Sequence, residues 1–243
     1  MHCWGLTDPG CVRTQNQDAF HIEQLDRNAV LCVVCDGLGG AKSGNMASSL
    51  AVDVFVQEVK RTWSPDMDRE HLDQMLFSAV KLTNFTVYDQ AQQFEEFTGM
   101  GTTLVAALLY GKEATIVNVG DSRAYSIKPD GVRQLTVDHS VVQMMVARGE
   151  VSPEQAKNYP GKNLITRAIG TEPVVKCDIF HHRIQKNDCI VLCTDGLSNI
   201  IDDQEILFEV VHGSEKKQCC KRLLEIAKNR GAPDNVTSIL IEV

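Results

Sequence analysis

The sequence contains no segment that could cross a membrane as a helix. Its longest purely apolar runs have about six residues, as in the segment 104–109, whereas a spanning helix needs roughly 20. The first residues, Met1-His2-Cys3-Trp4, lack the basic start and the apolar stretch of a secretory signal. We therefore expect a cytoplasmic protein without a membrane partner.

Clusters of positive charge are also missing. The 24 Lys and Arg residues face 32 Asp and Glu residues, the formal net charge is −8, and no block of Lys or Arg exceeds three residues. Proteins that bind nucleic acid carry a basic patch, so nucleic acid is not an expected partner. Hydrophobic residues make up 43% of the chain and charged residues 23%, which is typical of a folded globular protein and excludes extensive disorder.

The chain has no internal repeat, no low-complexity segment and no linker rich in Pro, Ser and Gly. Because nothing marks a point of division, residues 1–243 are predicted to form a single domain. We expect this domain to be a monomer.

Nine cysteines are present, which is an odd number. Cys32, Cys35, Cys189 and Cys193 lie in apolar runs typical of strands, where thiols pack as small hydrophobes. The Cys32-x-x-Cys35 spacing also occurs in redox and zinc sites. However, a strand would direct these two side chains to opposite faces, and no second pair has a matching spacing. We predict reduced, structural cysteines.

Apolar runs rich in β-branched residues end at turn residues and predict strands. These runs are 29–35, 103–110, 114–119, 123–127, 189–193 and 236–243. Gly111-Lys112 separates two of them and Pro129-Asp130-Gly131 follows another, which favours tight hairpins and antiparallel pairing.

Apolar residues recur at helical spacing over 47–59 and 72–82, which predicts two long amphipathic helices. Shorter helices are predicted to start at Ser152-Pro153-x-Gln155, at Asp202-x-x-Glu205 and at Ser214. The combined pattern predicts an α+β domain with helices on the outer faces of antiparallel sheets.

Aspartates stand at the ends of three predicted strands. Asp36, Asp121 and Asp195 each come at the end of an apolar run. Glycine follows Asp36 and Asp195, which allows a sharp turn and close approach of a backbone carbonyl to a bound group. Asp18 and Asp234 lie in comparable polar turns.

Each of these aspartates alone is more simply explained as a residue that ends a strand and begins a turn. Together they favour a metal site, because converging carboxylates repel one another unless cations lie between them. Oxygen ligands without Cys or His favour Mg²⁺ or Mn²⁺ over zinc and copper.

Six motifs follow one another from about Thr7 to Val243. They are Thr7-Asp8-x-Gly10-x-x-Arg13-x-x-Asn16-x-Asp18, Asp36-Gly37-Leu38-Gly39-Gly40-x-x-x-Gly44, Met100-Gly101-Thr102-Thr103, Val119-Gly120-Asp121-Ser122-Arg123, Thr194-Asp195-Gly196-Leu197 and Asp234-Asn235-Val236-Thr237. In this order the motifs resemble the metal-dependent serine/threonine protein phosphatases of the phosphatase 2C (PPM) type, in their compact bacterial form. Any one motif alone would be a weak signal.

The resemblance implies a four-layer αββα sandwich, in which two packed antiparallel sheets are flanked by helices and two ions, Mn²⁺ or Mg²⁺, lie at one edge. By position, Asp36 would bridge the ions, and Asp195 and Asp234 would complete one site. The Gly37 carbonyl would serve the other site. Asp18 would hold metal-bound water.

The resemblance also implies a third ion site, described for bacterial relatives, formed by Asp121 with Asp195. Arg13 would bind the substrate phosphate, because its planar guanidinium can hold two oxygens at once. The implied reaction is hydrolysis of phosphoserine and phosphothreonine in proteins by a water that bridges the ions, without a covalent enzyme intermediate. The substrates would be phosphoproteins made by a bacterial-type Ser/Thr kinase.

Several positions depart from the family pattern. Glu is replaced at Gln17 and Asn45, and His is replaced at Leu38, Ala41 and, in the segment 148–167 that resembles the mobile flap, Tyr159. These changes leave no evident general acid for the leaving oxygen. His139 is the nearest histidine of the family pattern, and we favour a packing or helix-start role for it over a catalytic one.

Two other functions fit parts of the sequence. A non-catalytic relative would use the same fold as a phosphoprotein-binding regulatory module, but the retained aspartates argue against it. A metal-dependent phosphodiesterase or nuclease would use the ions, but the net charge of −8 argues against nucleic acid. We therefore expect an enzyme, a protein serine/threonine phosphatase.

Overall fold

The computed structural model describes residues 1–40 and 43–243, and its strands come from all parts of the chain. In chain order they are β1 (His2–Asp8), β2 (Asp18–Asp26), β3 (Ala29–Leu38), β4 (Gly101–Thr102), β5 (Leu104–Tyr110), β6 (Glu113–Val119), β7 (Arg123–Lys128), β8 (Gly131–Gln134), β9 (Asp178–Arg183), β10 (Cys189–Cys193) and β11 (Val236–Glu242). They form two antiparallel sheets. One has the order β1-β11-β10-β7-β8, and the other has the order β2-β3-β5-β6-β9, with β4 paired to the end of β3.

Helices cover the outer face of each sheet. In chain order, the α-helices are α1 (Ser43–Thr62), α2 (Arg69–Gln93), α3 (Val141–Ala147), α4 (Pro153–Ala156), α5 (Asp195–Ser198), α6 (Asp203–His212) and α7 (Cys219–Asn229). Helices α1 and α2 pack on the sheet that contains β3, and α6 and α7 pack on the sheet that contains β10. The predicted four-layer αββα sandwich is confirmed. Of the helices in the described residues, none has the length and apolar character needed to cross a bilayer.

Side chains alternate along the central strands because a strand directs successive residues to opposite faces. In β3, Cys32 points into the layer between the two sheets, whereas Cys35 faces α1 and α2. The prediction that this pair does not form one site is therefore confirmed. All nine cysteines are free thiols.

The predicted strands are present, with ends shifted by no more than a few residues, and both predicted hairpins form antiparallel pairs. The sequence did not indicate β4, which has only two residues. It also did not indicate β1, β2, β8 and β9. Their residues are mostly half-buried, and β9 carries the polar run Asp-Ile-Phe-His-His-Arg, so no apolar run marks them. β1 and β9 pair with strands distant in sequence, β11 and β6, whereas β2 and β8 pair with the strands next to them in the chain, β3 and β7.

The two long helices and two of the short ones are confirmed. Ser152 with Gln155, and Asp202 with Glu205, form the predicted capping boxes. The helix start at Ser214 was wrong, because α7 begins at Cys219 without a side-chain cap. The turn before α7 is instead stabilised by Lys216, whose Nζ donates to the Val210 carbonyl at 2.8 Å.

Candidate active site

Five aspartates from distant segments meet at one edge of the sandwich. Asp18 begins β2 and lies opposite Asp36 of β3 in the antiparallel register. Asp121 follows β6, Asp195 follows β10 and begins α5, and Asp234 precedes β11. Burial raises the pKa of Asp36 well above its ordinary value, and repulsion from the other four carboxylates adds to this shift. The structure thus brings together all five predicted carboxylates.

Asp18 is 7% exposed, and its two carboxylate oxygens have different surroundings. Oδ2 accepts hydrogen bonds from Thr194 Oγ1 at 2.9 Å and from Thr237 Oγ1 at 2.6 Å. Oδ1 is buried and has no hydrogen-bond partner among the described residues. Burial raises the pKa of Asp18 to about 7, although the two threonine hydroxyls oppose that shift. A buried carboxylate oxygen without a partner needs a proton, a water or a cation.

Asp195 and Asp121 face the same negative surroundings. Burial raises the pKa of Asp195, and repulsion from Asp234 adds to this shift, whereas the interaction with Asp36 opposes it. Asn199 Nδ2 donates to Asp195 Oδ2 at 3.0 Å. Burial also raises the pKa of Asp121 to about 7, and the next largest cause is the charge of Asp195.

Arg13 reaches this cluster through Asp234. Its Nη2 donates to Asp234 Oδ2 at 3.0 Å, and Asp234 Oδ1 accepts from the Asn235 backbone N–H at 2.9 Å. The Arg13 side chain is 52% exposed, so its guanidinium also borders solvent. Arg13, which is predicted to bind the substrate phosphate, therefore lies at the mouth of the site. It forms an ion pair with Asp234, which is predicted to bind an ion.

Glycines allow the backbone segments of the site to approach closely. The Gly37 N–H donates to the Gln17 carbonyl at 3.1 Å, and a Cβ on Gly37 would collide with the backbone of Gly44. A Cβ on Gly196 would likewise collide with the Asn235 carbonyl. Larger residues at these two positions would push β3 away from the start of α1 and α5 away from Asn235.

The replaced family positions have structural contacts where the structure describes them. Gln17 Nε2 donates to the Gly40 carbonyl at 3.0 Å, so this amide supports the loop after β3. Leu38 pairs with β4, and Asn45 Oδ1 accepts from Ser49 in the first turns of α1. Ala41 lies outside the described residues.

His139 is 6% exposed, and both of its ring nitrogens are engaged. The Gly120 N–H donates to Nδ1 at 3.1 Å, and Nε2 lies 3.0 Å from Asp178 Oδ2. Burial lowers the pKa of His139. The ring therefore has no free nitrogen to serve as a general acid, in agreement with the predicted packing role.

A cleft of about 600 Å³ opens beside Asp121 and Asp195. One wall comes from the segment that resembles the flap and includes Lys162, and the other includes Asn199 at the end of α5. No sequence pattern singles out Lys162, whose positive charge lowers the pKa of Asp195. The hydroxyls of Thr194 and Thr237, in contrast, lie inside two of the recognised motifs.

The protein phosphatase 2C family model matches residues 12–228. The chain belongs to the protein phosphatase 2C family. It is 36% identical over 245 residues to the serine/threonine phosphatase stp of Listeria innocua, covering 100% of this chain and 96% of that protein.

Solved structures give the same result for the fold of this phosphatase 2C chain. It resembles serine/threonine phosphatase Stp1 from Staphylococcus aureus with a TM-score of 0.93 and 36% identity, over 99% of this chain and 94% of that one. The Mycobacterium tuberculosis serine/threonine phosphatase PstP/Ppp gives a TM-score of 0.88 and 31% identity, over 100% and 98% of the two chains.

The phosphatase 2C family is metal-dependent, and the site of this member fits hard cations. Within residues 1–40 and 43–243, no three His, Cys, Asp or Glu side chains already surround one point as metal ligands do. Asp234 is turned to Arg13, and Asp195 to Asn199. Even so, the crowded carboxylates and the unpartnered Oδ1 of Asp18 form an oxygen-rich, negatively charged site that divalent cations would neutralise.

Proposed function

We propose that this phosphatase 2C hydrolyses phosphoserine and phosphothreonine in proteins with the aid of Mn²⁺ or Mg²⁺ held by the aspartate cluster. The observation that carries the proposal is the convergence of five carboxylates, one with a buried unpartnered oxygen, beside an arginine at the mouth of the site. Anionic ligands and a guanidinium together suit a phosphate ester bound through cations. The names of the Listeria and Staphylococcus relatives support the same reaction.

Each side chain then has a distinct role toward the ions. Asp36, Asp195, Asp234 and the Gly37 carbonyl would hold two ions, with Asp36 contributing to both. Asp121 would hold a third ion together with Asp195. Bound divalent ions would lower the pKa of a water and offset the negative charge of the phosphate.

The remaining residues bind and orient. Arg13 would hold two phosphate oxygens with its planar guanidinium, which requires it to leave Asp234. Asp18 Oδ1 can accept a hydrogen bond or a proton from a water, because Oδ2 is already held by two threonine hydroxyls. His139 has no role as proton donor to the leaving oxygen in this proposal, because its ring is buried and both nitrogens are engaged, and water supplies that proton instead.

The proposal extends to the setting of the enzyme. Residues 1–243 act as a single catalytic domain, because the layer between the sheets is built jointly by strands from both ends of the chain. We infer that its substrates are phosphoproteins made by a bacterial-type Ser/Thr kinase and that the enzyme acts as a monomer in the cytoplasm. The names of the relatives support the serine/threonine phosphatase activity on which this inference rests.

An activity measurement with matched variants tests this proposal. With Mn²⁺, the purified protein should hydrolyse an aryl phosphate and a phosphothreonine peptide. Asp195→Asn should abolish both activities, whereas Asp130→Asn, in the exposed turn between β7 and β8, should leave both unchanged. A protein that shows no turnover but binds a phosphoprotein tightly would contradict the proposal.

A further inference from the structure

His139 lies at a junction that the catalytic roles above do not use. It precedes Ser140, the N-cap of α3, and its side chain is buried between β6, β9 and the segment 148–167. A buried polar ring with several specific partners needs a structural explanation beyond filling space.

Gly120 is held by His139 on both of its backbone polar groups. The Gly120 N–H donates to His139 Nδ1 at 3.1 Å, and the His139 N–H donates to the Gly120 carbonyl at 2.9 Å. Gly120 has a φ of +106°, and a Cβ there would collide with the Thr103 side chain. The chain must therefore turn sharply at Gly120, directly before Asp121.

The hydrogen bond from Gly120 assigns the tautomer of the ring. Because Nδ1 accepts an N–H, the proton of the neutral ring is on Nε2, which donates to Asp178 Oδ2 at 3.0 Å. Arg167 Nη1 lies 3.1 Å from Nε2, and it donates to the other oxygen of Asp178 at 2.9 Å. Two donors, Nε2 of His139 and Nη1 of Arg167, thus share one carboxylate.

The same histidine contacts the end of the segment 148–167. The Thr166 N–H donates to the His139 carbonyl at 2.7 Å, and Ser140 forms an isolated β-bridge with Ile165. This segment and Asp121 both line the cleft. His139 is connected to both.

We propose that His139 is a positioning residue that fixes the Gly120-Asp121 turn and ties the base of segment 148–167 to it. The inference rests on the proposed phosphatase function, in which Asp121 is part of the site. Replacing a residue that orients a metal-ligating side chain typically lowers metal affinity or activity about 10- to 100-fold.

Two amide substitutions distinguish the hydrogen bond of Nδ1 from that of Nε2. In His139→Asn, Oδ1 can take the place of Nδ1 and accept from Gly120. In His139→Gln, the amide reaches the place of Nε2, so the contact with Asp178 is kept and the acceptor for Gly120 is lost. We expect His139→Gln to lower kcat/KM for a phosphothreonine peptide about 10- to 100-fold, and His139→Asn to lower it less than about threefold.

Hydrogen exchange at the Gly120 amide gives a readout that does not depend on activity. Exchange should accelerate at least about tenfold in His139→Gln and stay near the wild-type rate in His139→Asn. In an Asp121→Asn background, His139→Gln should lower kcat/KM less than about threefold, because its effect passes through Asp121.

The proposal is overturned if the Asn and Gln variants are equally impaired, if Gly120 exchange does not change in His139→Gln, or if the effects of His139→Gln and Asp121→Asn multiply. Asp178→Ala removes the acceptor of Nε2 at a partly exposed position, and it should lower kcat/KM in the same direction but less. If the wild type shows no phosphatase activity, the proposed function fails, and the exchange rates still decide whether His139 holds Gly120.

Discussion

Replacing Asp18 by the neutral, isosteric Asn should make the metal-free protein more stable at alkaline pH. Burial raises the pKa of Asp18 from 3.8 to about 7. The folded protein therefore binds this proton more tightly than the unfolded chain does. The stability that comes from this group is fully present below pH 4 and is lost as the pH rises from about 4 to 7.

The size of the effect follows from the pKa difference. Between pH 5 and pH 8, ionisation of Asp18 should cost the metal-free protein on the order of 3 kcal/mol of unfolding free energy, because one pKa unit corresponds to about 1.4 kcal/mol. For a domain of this size that is about 6–12 °C in Tm. Burial also raises the pKa of Asp36 and of Asp195, so their ionisation adds to the loss of wild-type stability as the pH rises.

Thermal unfolding in EDTA at pH 5 and pH 8 measures this effect. The Tm of both proteins should fall between pH 5 and pH 8. The fall should be smaller in Asp18→Asn than in the wild type, and the difference between the two falls should be about 6–12 °C. Mn²⁺ should raise the Tm of both proteins at pH 8, because the ion ligands Asp36, Asp195 and Asp234 remain in Asp18→Asn. Asp130→Asn, at an exposed turn, serves as the control. Equal pH dependence in the wild type and Asp18→Asn would refute the reasoning.

Two further substitutions test the contacts around the site. Arg13→Ala should tighten Mn²⁺ binding about 1.5- to 5-fold in calorimetry, because Arg13 and a cation compete for Asp234, and it should raise KM for a phosphopeptide. Weaker Mn²⁺ binding would contradict this competition. Gly196→Ala should lower the free energy of unfolding by about 1–3 kcal/mol in urea titrations, because its Cβ would collide with the Asn235 carbonyl. Gly131→Ala, where the Cβ enters open space, should change stability much less, and equal losses in both variants would exclude the collision.

Local patterns predicted the parts of the site that lie at strand ends. Asp36, Asp121 and Asp195 could be found because an apolar run precedes each of them. The direct partners of Asp18 could not be derived in this way, because Thr194 and Thr237 are 176 and 219 residues away and are brought close by the pairing of β10 with β11.

In the fold as well, some elements formed by neighbouring residues could be predicted from the sequence, and some elements formed by distant segments could not. Capping boxes at Ser152 and Asp202 are formed within one helical turn and were predictable. Strand β9 has little apolar character and exists through its pairing with β6, which the sequence of β9 does not reveal. The pairing of Arg13 with Asp234 likewise joins residues 221 positions apart, so the motifs predicted both residues but not their contact.

Diffraction from crystals grown with Mn²⁺, recorded at the manganese absorption edge, would locate the ions. We expect at least two anomalous peaks at the aspartate cluster, with Asp36 contacting both and with Asp195 and Asp234 contacting one of them. Arg13 should then have left Asp234. Peaks that lie only elsewhere on the molecule, or no peak at this edge of the sandwich, would contradict the proposal that these carboxylates hold the catalytic cations.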